Sequence, residues 1–118
     1  MKRSFVWFMA LSAVYLMQTS CTKEKAGQQV DPNCIDTVSF SQTILPLMQT
    51  NCTGCHGSGN TTGYTITNHT NISSQANAIL NAMRGQGGFQ QMPDGLPALP
   101  DSMIKKFECW VGQGKQNN

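Results

Sequence analysis

Residues 52–56, which read Cys-Thr-Gly-Cys-His, constrain this chain more than any other segment. Two cysteines three residues apart, followed at once by a histidine, are typical of a site where a c-type haem is covalently attached. At such a site both thiols add to porphyrin vinyl groups, and the adjacent imidazole binds the iron. Thr53 and Gly54 are small and leave room for the macrocycle. The segment therefore predicts one haem per chain, linked through Cys52 and Cys55 and bound by His56.

Two other kinds of site share part of this pattern. One is a Cys-x-x-Cys redox pair, and the other is half of a zinc site. A structural zinc site needs four ligands, usually with a second Cys or His pair at comparable spacing. No such pair follows in the sequence, so the haem interpretation is the stronger one.

The N-terminal residues indicate an export signal. Lys2 and Arg3 are followed by an apolar run over residues 4–17. This run is shorter than the about 20 apolar residues that a membrane-spanning helix needs. It fits a secretory signal peptide over residues 1–20. We therefore expect the rest of the chain, which at 118 residues has room for one domain, to act outside the cytoplasm.

The residues that end the signal resemble a bacterial lipoprotein processing site. Small residues precede Cys21, which would be lipidated and become the new N-terminus. Gln18 departs from the pattern, which usually has leucine or a similar residue there. The alternatives are cleavage at another position or a retained, uncleaved anchor. Residues 21–33 are polar and predict a flexible tether, so we expect the domain to span residues 34–118.

The remaining two of the five cysteines are Cys34 and Cys109. An even remainder in a chain exported to an oxidising compartment favours a disulfide. That bond would tie the segment before the first helix to the last helix. The alternative is two independent buried thiols.

The charge pattern gives no sign of a polyanionic partner. The formal charge is +2, but from Cys21 onward the cations and anions are equal in number. No basic stripe interleaved with aromatic residues is present, so we expect no nucleic-acid binding. Strong electrostatic steering toward a partner is also not expected.

Apolar residues at helical spacing predict three main helices, at residues 42–51, 72–84 and 102–111. Gly85 should end the second helix. Side chains able to cap the N-termini lie near each start; the predicted caps are Ser41 or Thr43, Asn71 or Ser73, and Asp101. No run long enough to start a sheet is visible.

Residues 86–100 form a loop rich in proline and glycine that still carries apolar side chains. We expect the side chains of Phe89, Met92, Leu96 and Leu99 to be buried against a partner. Met92 is the best candidate for the second axial ligand of the iron, because Pro93 stiffens the loop that carries it.

Other side chains could take the place of Met92. Met48 lies close to the first thiol and is interpreted as a core residue. Met83 and Met103 lie on apolar helix stripes, where methionine usually fills the core. His69 is the main rival, because imidazole is the stronger ligand, although an exposed histidine before a helix is the simpler expectation.

Together, the motif at residues 52–56, the Met92-Pro93 loop and the terminal helix resemble a small class I cytochrome c. More narrowly, residues 34–114 are similar to single-haem cytochrome-c-like lipoproteins of bacterial envelopes. The resemblance implies an all-α cytochrome c fold, with about three main helices wrapped around the haem and long loops. Many such proteins have a proline soon after the motif, and the carbonyl of that region accepts a bond from the proximal histidine. This chain has none before Pro93, which leaves the partner of His56 unassigned.

These features predict a one-electron carrier with His56 and Met92 as axial ligands and no enzymatic activity. We expect a monomer, anchored through Cys21 in the bacterial cell envelope and facing the periplasm or another compartment outside the cytoplasm. Its partners would be redox proteins there. The alternatives are a gas or redox sensor or peroxidase-like enzyme with a weak sixth ligand, and a docking module of a larger redox complex.

Overall fold

The computed structural model describes residues 32–118, and within this range the chain is helical, with no strand. The fold class over these residues is therefore all-α, as the sequence predicts. The predicted signal peptide (1–20), the lipidation site Cys21 and nearly all of the tether lie outside the described residues.

The first helical region has two parts. A π-helical turn, Phe40–Ile44, leads directly into helix α1, Leu45–Asn51. The wide turn stands just before Pro46, which occupies the first turn of α1. Proline has no N–H to donate to the preceding turn, so the regular α-helical ladder starts only around this residue. The helical backbone is thus longer at its start than the sequence predicts.

The cap of this first region is Ser39, whose hydroxyl oxygen accepts a hydrogen bond from the Gln42 N–H at 3.3 Å. The predicted caps Ser41 and Thr43 are wrong, because both already lie at or within the π-helical turn. Periodicity alone does not reveal a π-helical turn, since it adds residues that break the 3.6-residue repeat.

Four more helices follow within the described residues. They are α2 (Thr53–His56), α3 (His69–Ser74), α4 (Ala76–Arg84) and α5 (Asp101–Gly112).

The predicted helix over residues 72–84 begins earlier and is broken at Gln75. This residue separates α3 from α4 and has φ −105° and ψ 8°. Its side-chain amide donates to the carbonyl oxygens of Thr65, at 3.1 Å, and Asn71, at 3.0 Å. Side-chain bonds to nearby carbonyls compete with the helical ladder. The break therefore has a local polar cause that apolar periodicity does not show.

The N-terminal caps of the other two helical regions also differ from the prediction. Asn68 caps α3, where its side-chain oxygen accepts from the Asn71 N–H at 3.0 Å, so neither Asn71 nor Ser73 is the cap. Asp101 is the first residue of α5, and the cap position is held by Pro100 with no side-chain bond. An acidic side chain in the first turn still interacts favourably with the helix dipole.

One contiguous hydrophobic core joins three helical regions. These are the π-helical turn with α1, the pair α3 and α4, and α5. The π-helical turn packs against α5, where the rings of Phe40 and Trp110 have centroids 5.7 Å apart. Helix α5 also packs against α4. The buried members of the core are Phe40, Ile44, Leu47, Met48, Ile66, Ile72, Ala76, Ile79, Met83, Leu99, Ile104, Phe107 and Trp110.

A disulfide ties the N-terminal side of the domain to the last helix. Cys34 and Cys109 are bonded, with their Cα atoms 5.4 Å apart and their positions 75 apart in the sequence. Cys109 lies on the buried side of α5. The pair is the one that the cysteine count favours, and the alternative of two separate thiols does not describe this structure.

Removing this disulfide with Cys34→Ala and Cys109→Ala together should lower the free energy of unfolding by about 4 kcal/mol. That is the order of magnitude that loop-closure entropy gives for a loop of roughly this length. Denaturant unfolding of the oxidised protein and the double variant measures the difference. Wild-type protein kept under reductant is the matched control and should behave like the variant. A difference below about 1 kcal/mol would contradict a stabilising disulfide.

Candidate haem-binding site

The cysteine and histidine side chains of the motif are brought together by one turn of helix. The Cys52 N–H donates to the Met48 carbonyl at 2.8 Å, so the backbone hydrogen bonds of α1 extend to the residue before α2. Within α2 the His56 N–H donates to the Cys52 carbonyl at 2.8 Å. Cys52 is half-buried, Cys55 is exposed, and neither is in a disulfide. Two thiols one helical turn apart are thus free for covalent attachment next to the imidazole.

The chain leaves the motif at Gly57, and the geometry there requires glycine. A Cβ atom at this position would lie 2.7 Å from the Thr53 carbonyl oxygen. That is closer than a carbon and an oxygen can approach without a shift of the backbone. The loop that starts at Gly57 then returns to the motif, since the Ile66 N–H donates to the His56 carbonyl at 2.9 Å.

The ring of His56 is held by two acceptors from this loop. Its Nδ1 lies 2.9 Å from the Thr62 hydroxyl and 3.2 Å from the Tyr64 carbonyl oxygen. A carbonyl oxygen can only accept, so the arrangement assigns the proton of the neutral ring to Nδ1. Nε2 then keeps its lone pair, which is the form that binds a metal ion. These residues supply the partner of His56 that the sequence leaves unassigned.

The properties of Cys52 disfavour the thiol-redox interpretation. Burial raises the pKa of its thiol to about 11, so the thiol stays protonated near neutral pH. Reactive Cys-x-x-Cys pairs instead have a thiol whose pKa is lowered. For zinc, residues 32–118 contain no cluster of three or more His, Cys, Asp or Glu side chains arranged as metal ligands.

Met92 lies in the loop between α4 and α5, and its backbone is tied to the end of α4. The Ala82 carbonyl accepts from the Met92 N–H at 2.9 Å. Gly85, in the left-handed conformation with φ 61°, ends α4 as predicted and turns the chain into this loop. The Met92–Pro93 peptide bond is cis. The loop is therefore anchored beside its methionine, although no hydrogen bond joins Met92 to the motif in the described residues.

The apolar side chains of this loop are not packed as the sequence predicts. Leu99 is buried and Met92 is half-buried, but Phe89 is 38% and Leu96 is 67% exposed. The prediction that they are buried is wrong for these last two within the polypeptide. Large apolar side chains on both sides of Met92 are therefore left partly or mostly exposed, which fits a loop that packs against an apolar group outside the polypeptide.

The other methionine candidates divide between core and surface. Met48 and Met83 are buried in the hydrophobic core, as expected. Met103 is 39% exposed, so its assignment as a core residue is wrong. It lies in the first turn of α5, where the side of the helix that faces the core begins only at Ile104.

His69 has a structural position that already uses its ring. Its Nε2 donates to the Lys115 carbonyl oxygen at 2.8 Å. The ring also stands edge-on to Phe40, with centroids 4.9 Å apart, and to Trp110, at 5.9 Å. These contacts join α3 to the π-helical turn and to the segment after α5. They weigh against His69 as the rival axial ligand, because the ring would have to leave them.

Sequence reasoning missed Thr62 and Tyr64, whose oxygens accept from the His56 ring, and Asn60, which accepts from the Thr62 hydroxyl. A signal was present in residues 60–63, which read Asn-Thr-Thr-Gly. An asparagine at the start of such a segment is typical of a turn in which its side chain binds the backbone two residues on. The structure has this turn, since the Thr62 N–H donates to the Asn60 side-chain oxygen at 2.8 Å.

Comparison with protein-family models, with curated proteins and with solved structures found no match for this chain. Within the described residues, no helix is both long enough and apolar enough to span a membrane.

Proposed function

We propose that this chain is an exported electron-transfer protein with one covalently attached c-type haem. Cys52 and Cys55 would form the thioether links, and His56 and Met92 would be the axial ligands. The observation that carries the proposal is the state of His56: two acceptors bind its Nδ1–H, which leaves Nε2 for a metal ion, and the two cysteines on the same turn of helix are not in a disulfide.

Several features of the chain fit the group. The thiols lie on one turn of helix, and Gly57 lets the backbone turn away directly after the histidine. Phe89 and Leu96 offer exposed apolar side chains around Met92. Contact of the first helical region with α5 agrees with the cytochrome c fold proposed for residues 34–118, in which the terminal helices pack together.

The chemistry that the haem supplies when bound is reversible exchange of one electron between Fe(II) and Fe(III). In the proposed site, the imidazole of His56 and the thioether of Met92 would both bind the iron, which would leave no position for a substrate. Two separate sets of hydrogen bonds position these side chains. The loop after the motif accepts from the His56 ring, and the Ala82 carbonyl of α4 accepts from the Met92 N–H. Such a site favours electron transfer over catalysis.

The proposed location follows mainly from residues outside the described part of the chain. Residues 1–20 would direct export, Cys21 would carry a lipid anchor in the bacterial envelope, and residues 21–33 would act as a tether. The neutral balance of charges after Cys21 fits docking to redox proteins over short distances, with no long-range steering.

The direct test is a pyridine haemochrome spectrum, together with the intact mass of protein exported from a host that attaches c-type haem. We expect one haem per chain that stays bound after denaturation and solvent extraction. Haem that is extracted, or a polypeptide mass without added haem, would contradict the proposal.

A further inference from the structure

We infer that Thr62 and Asn60 are positioning residues that set the electron donation of His56 and so lower the reduction potential of the site. This inference rests on the proposed function, because it concerns the potential of the proposed haem. The side chains of these two residues form a short relay that ends at the Nδ1–H of His56.

The first link of the relay is the Thr62 hydroxyl. It lies 2.5 Å from the Asn60 side-chain oxygen, whereas the alternative acceptor, the Tyr64 carbonyl, is 3.3 Å away. An amide oxygen cannot donate, so the hydroxyl proton points to Asn60. The Thr62 oxygen then accepts the Nδ1–H of His56 at 2.9 Å, and its other lone pair accepts the Tyr64 N–H at 3.3 Å.

The second link holds Asn60 in a single orientation. Its side-chain nitrogen donates to the Gly57 carbonyl at 2.6 Å and to the Tyr64 carbonyl at 3.0 Å. Both partners are acceptors, so a flipped amide would face two carbonyl oxygens with its own oxygen. The Asn60 side-chain oxygen therefore faces Thr62 and accepts its hydroxyl proton. The Thr62 oxygen stays an acceptor for His56.

The relay makes the acceptor at Nδ1 stronger than an isolated hydroxyl would be, because successive hydrogen bonds polarise one another. A hydrogen bond at Nδ1 fixes the ring orientation and raises the basicity of a histidine ligand. A more basic imidazole stabilises Fe(III) more than Fe(II), so it lowers the reduction potential. The Tyr64 carbonyl, at 3.2 Å, is a second and weaker acceptor that remains when the hydroxyl is removed.

The test is Thr62→Val in the haem-loaded protein, since valine keeps the shape and removes the hydroxyl. We expect the equilibrium between Fe(II) and Fe(III) to shift toward Fe(II) by threefold to tenfold, which is about 30–59 mV in a one-electron potential. Thr62→Ser keeps a hydroxyl and should restore the native potential. The matched control is Thr61→Val, at an exposed threonine with no side-chain hydrogen bond within the described residues.

A second readout separates positioning from a general effect on the fold. Nitrogen NMR of the His56 ring in reduced protein should show stronger Nδ1–H hydrogen bonding in wild type and Thr62→Ser than in Thr62→Val. An unchanged potential and ring signal in Thr62→Val, with haem bound, would overturn this inference and leave the proposed function intact. A chain that carries no covalent haem would overturn both. An equal shift in Thr61→Val would also overturn it, because the effect would not then depend on the relay.

Discussion

Replacing both Cys52 and Cys55 with alanine is expected to give a protein without covalent haem that unfolds at much lower temperature and over a broad transition. Cys52 packs against the hydrophobic core from its half-buried position, whereas Cys55 is exposed. Loss of these two small side chains alone would cost little. The large effect comes from losing the group that would cover the apolar side chains of the Met92 loop.

The expected magnitude follows from linkage between binding and folding. A ligand present at a thousand times its Kd stabilises the folded state by about 4 kcal/mol, and covalent attachment holds the effective concentration high. A domain of this size is stable by only about 5–15 kcal/mol. We therefore expect the double variant to lose at least about 4 kcal/mol.

The measurement is thermal unfolding by circular dichroism, with haem content determined on denatured protein. Ser58→Ala is a suitable control, because this residue is exposed in the loop just after the motif and should leave both haem content and unfolding unchanged. A double variant that retains covalent haem would contradict the attachment site. One that melts as cooperatively as wild type would contradict the role of the haem in the fold.

Replacing Met92 with alanine is expected to open one axial position while the haem stays attached. The far-red absorption band of the oxidised protein, which comes from charge transfer between methionine and iron, should disappear completely. The reduced variant should bind carbon monoxide stoichiometrically, whereas the wild type should not bind it. Removing the thioether should also lower the reduction potential, because methionine ligation raises it.

Two other variants serve as controls for Met92. Met103→Ala removes an exposed methionine from the first turn of α5 and should change neither the band nor carbon monoxide binding. His69→Ala should lower stability through loss of the Lys115 bond and leave the spectrum unchanged. Rapid carbon monoxide binding by the wild type would favour a sensor or peroxidase-like enzyme. Loss of the band in His69→Ala with Met92 intact would make His69 the ligand.

The helical regions could be predicted from the sequence because their apolar residues recur at helical spacing. The starts of the π-helical turn and of α3 could not, because each depends on which of several polar side chains reaches the backbone. Asn68 caps α3 although Asn71 and Ser73 are chemically equivalent candidates nearby. The break at Gln75 has the same origin, since its side chain binds the carbonyl of Thr65, ten residues away.

At the candidate site, the chemistry of the motif could be predicted, but its surroundings only in part. The contact between His69 and Lys115 joins residues 46 positions apart, and no local pattern shows it. The exposure of Phe89 and Leu96 likewise depends on how residues 86–100 leave α4. The acceptors of His56 were closer to prediction, because the turn at Asn60 has a recognisable sequence.

The disulfide between Cys34 and Cys109 makes the intervening chain a closed ring. The motif residues, the loop that carries Asn60 and Thr62, and Met92 all lie inside this ring. A protease that cuts once in the exposed glycine-containing loop after His56 would open the ring without releasing either part. Both proposed axial ligands would remain on one covalent molecule, so the nicked protein could reassemble as a unimolecular process, independent of protein concentration. Dilution should therefore not prevent the nicked domain from reassembling, because the disulfide keeps its two parts connected.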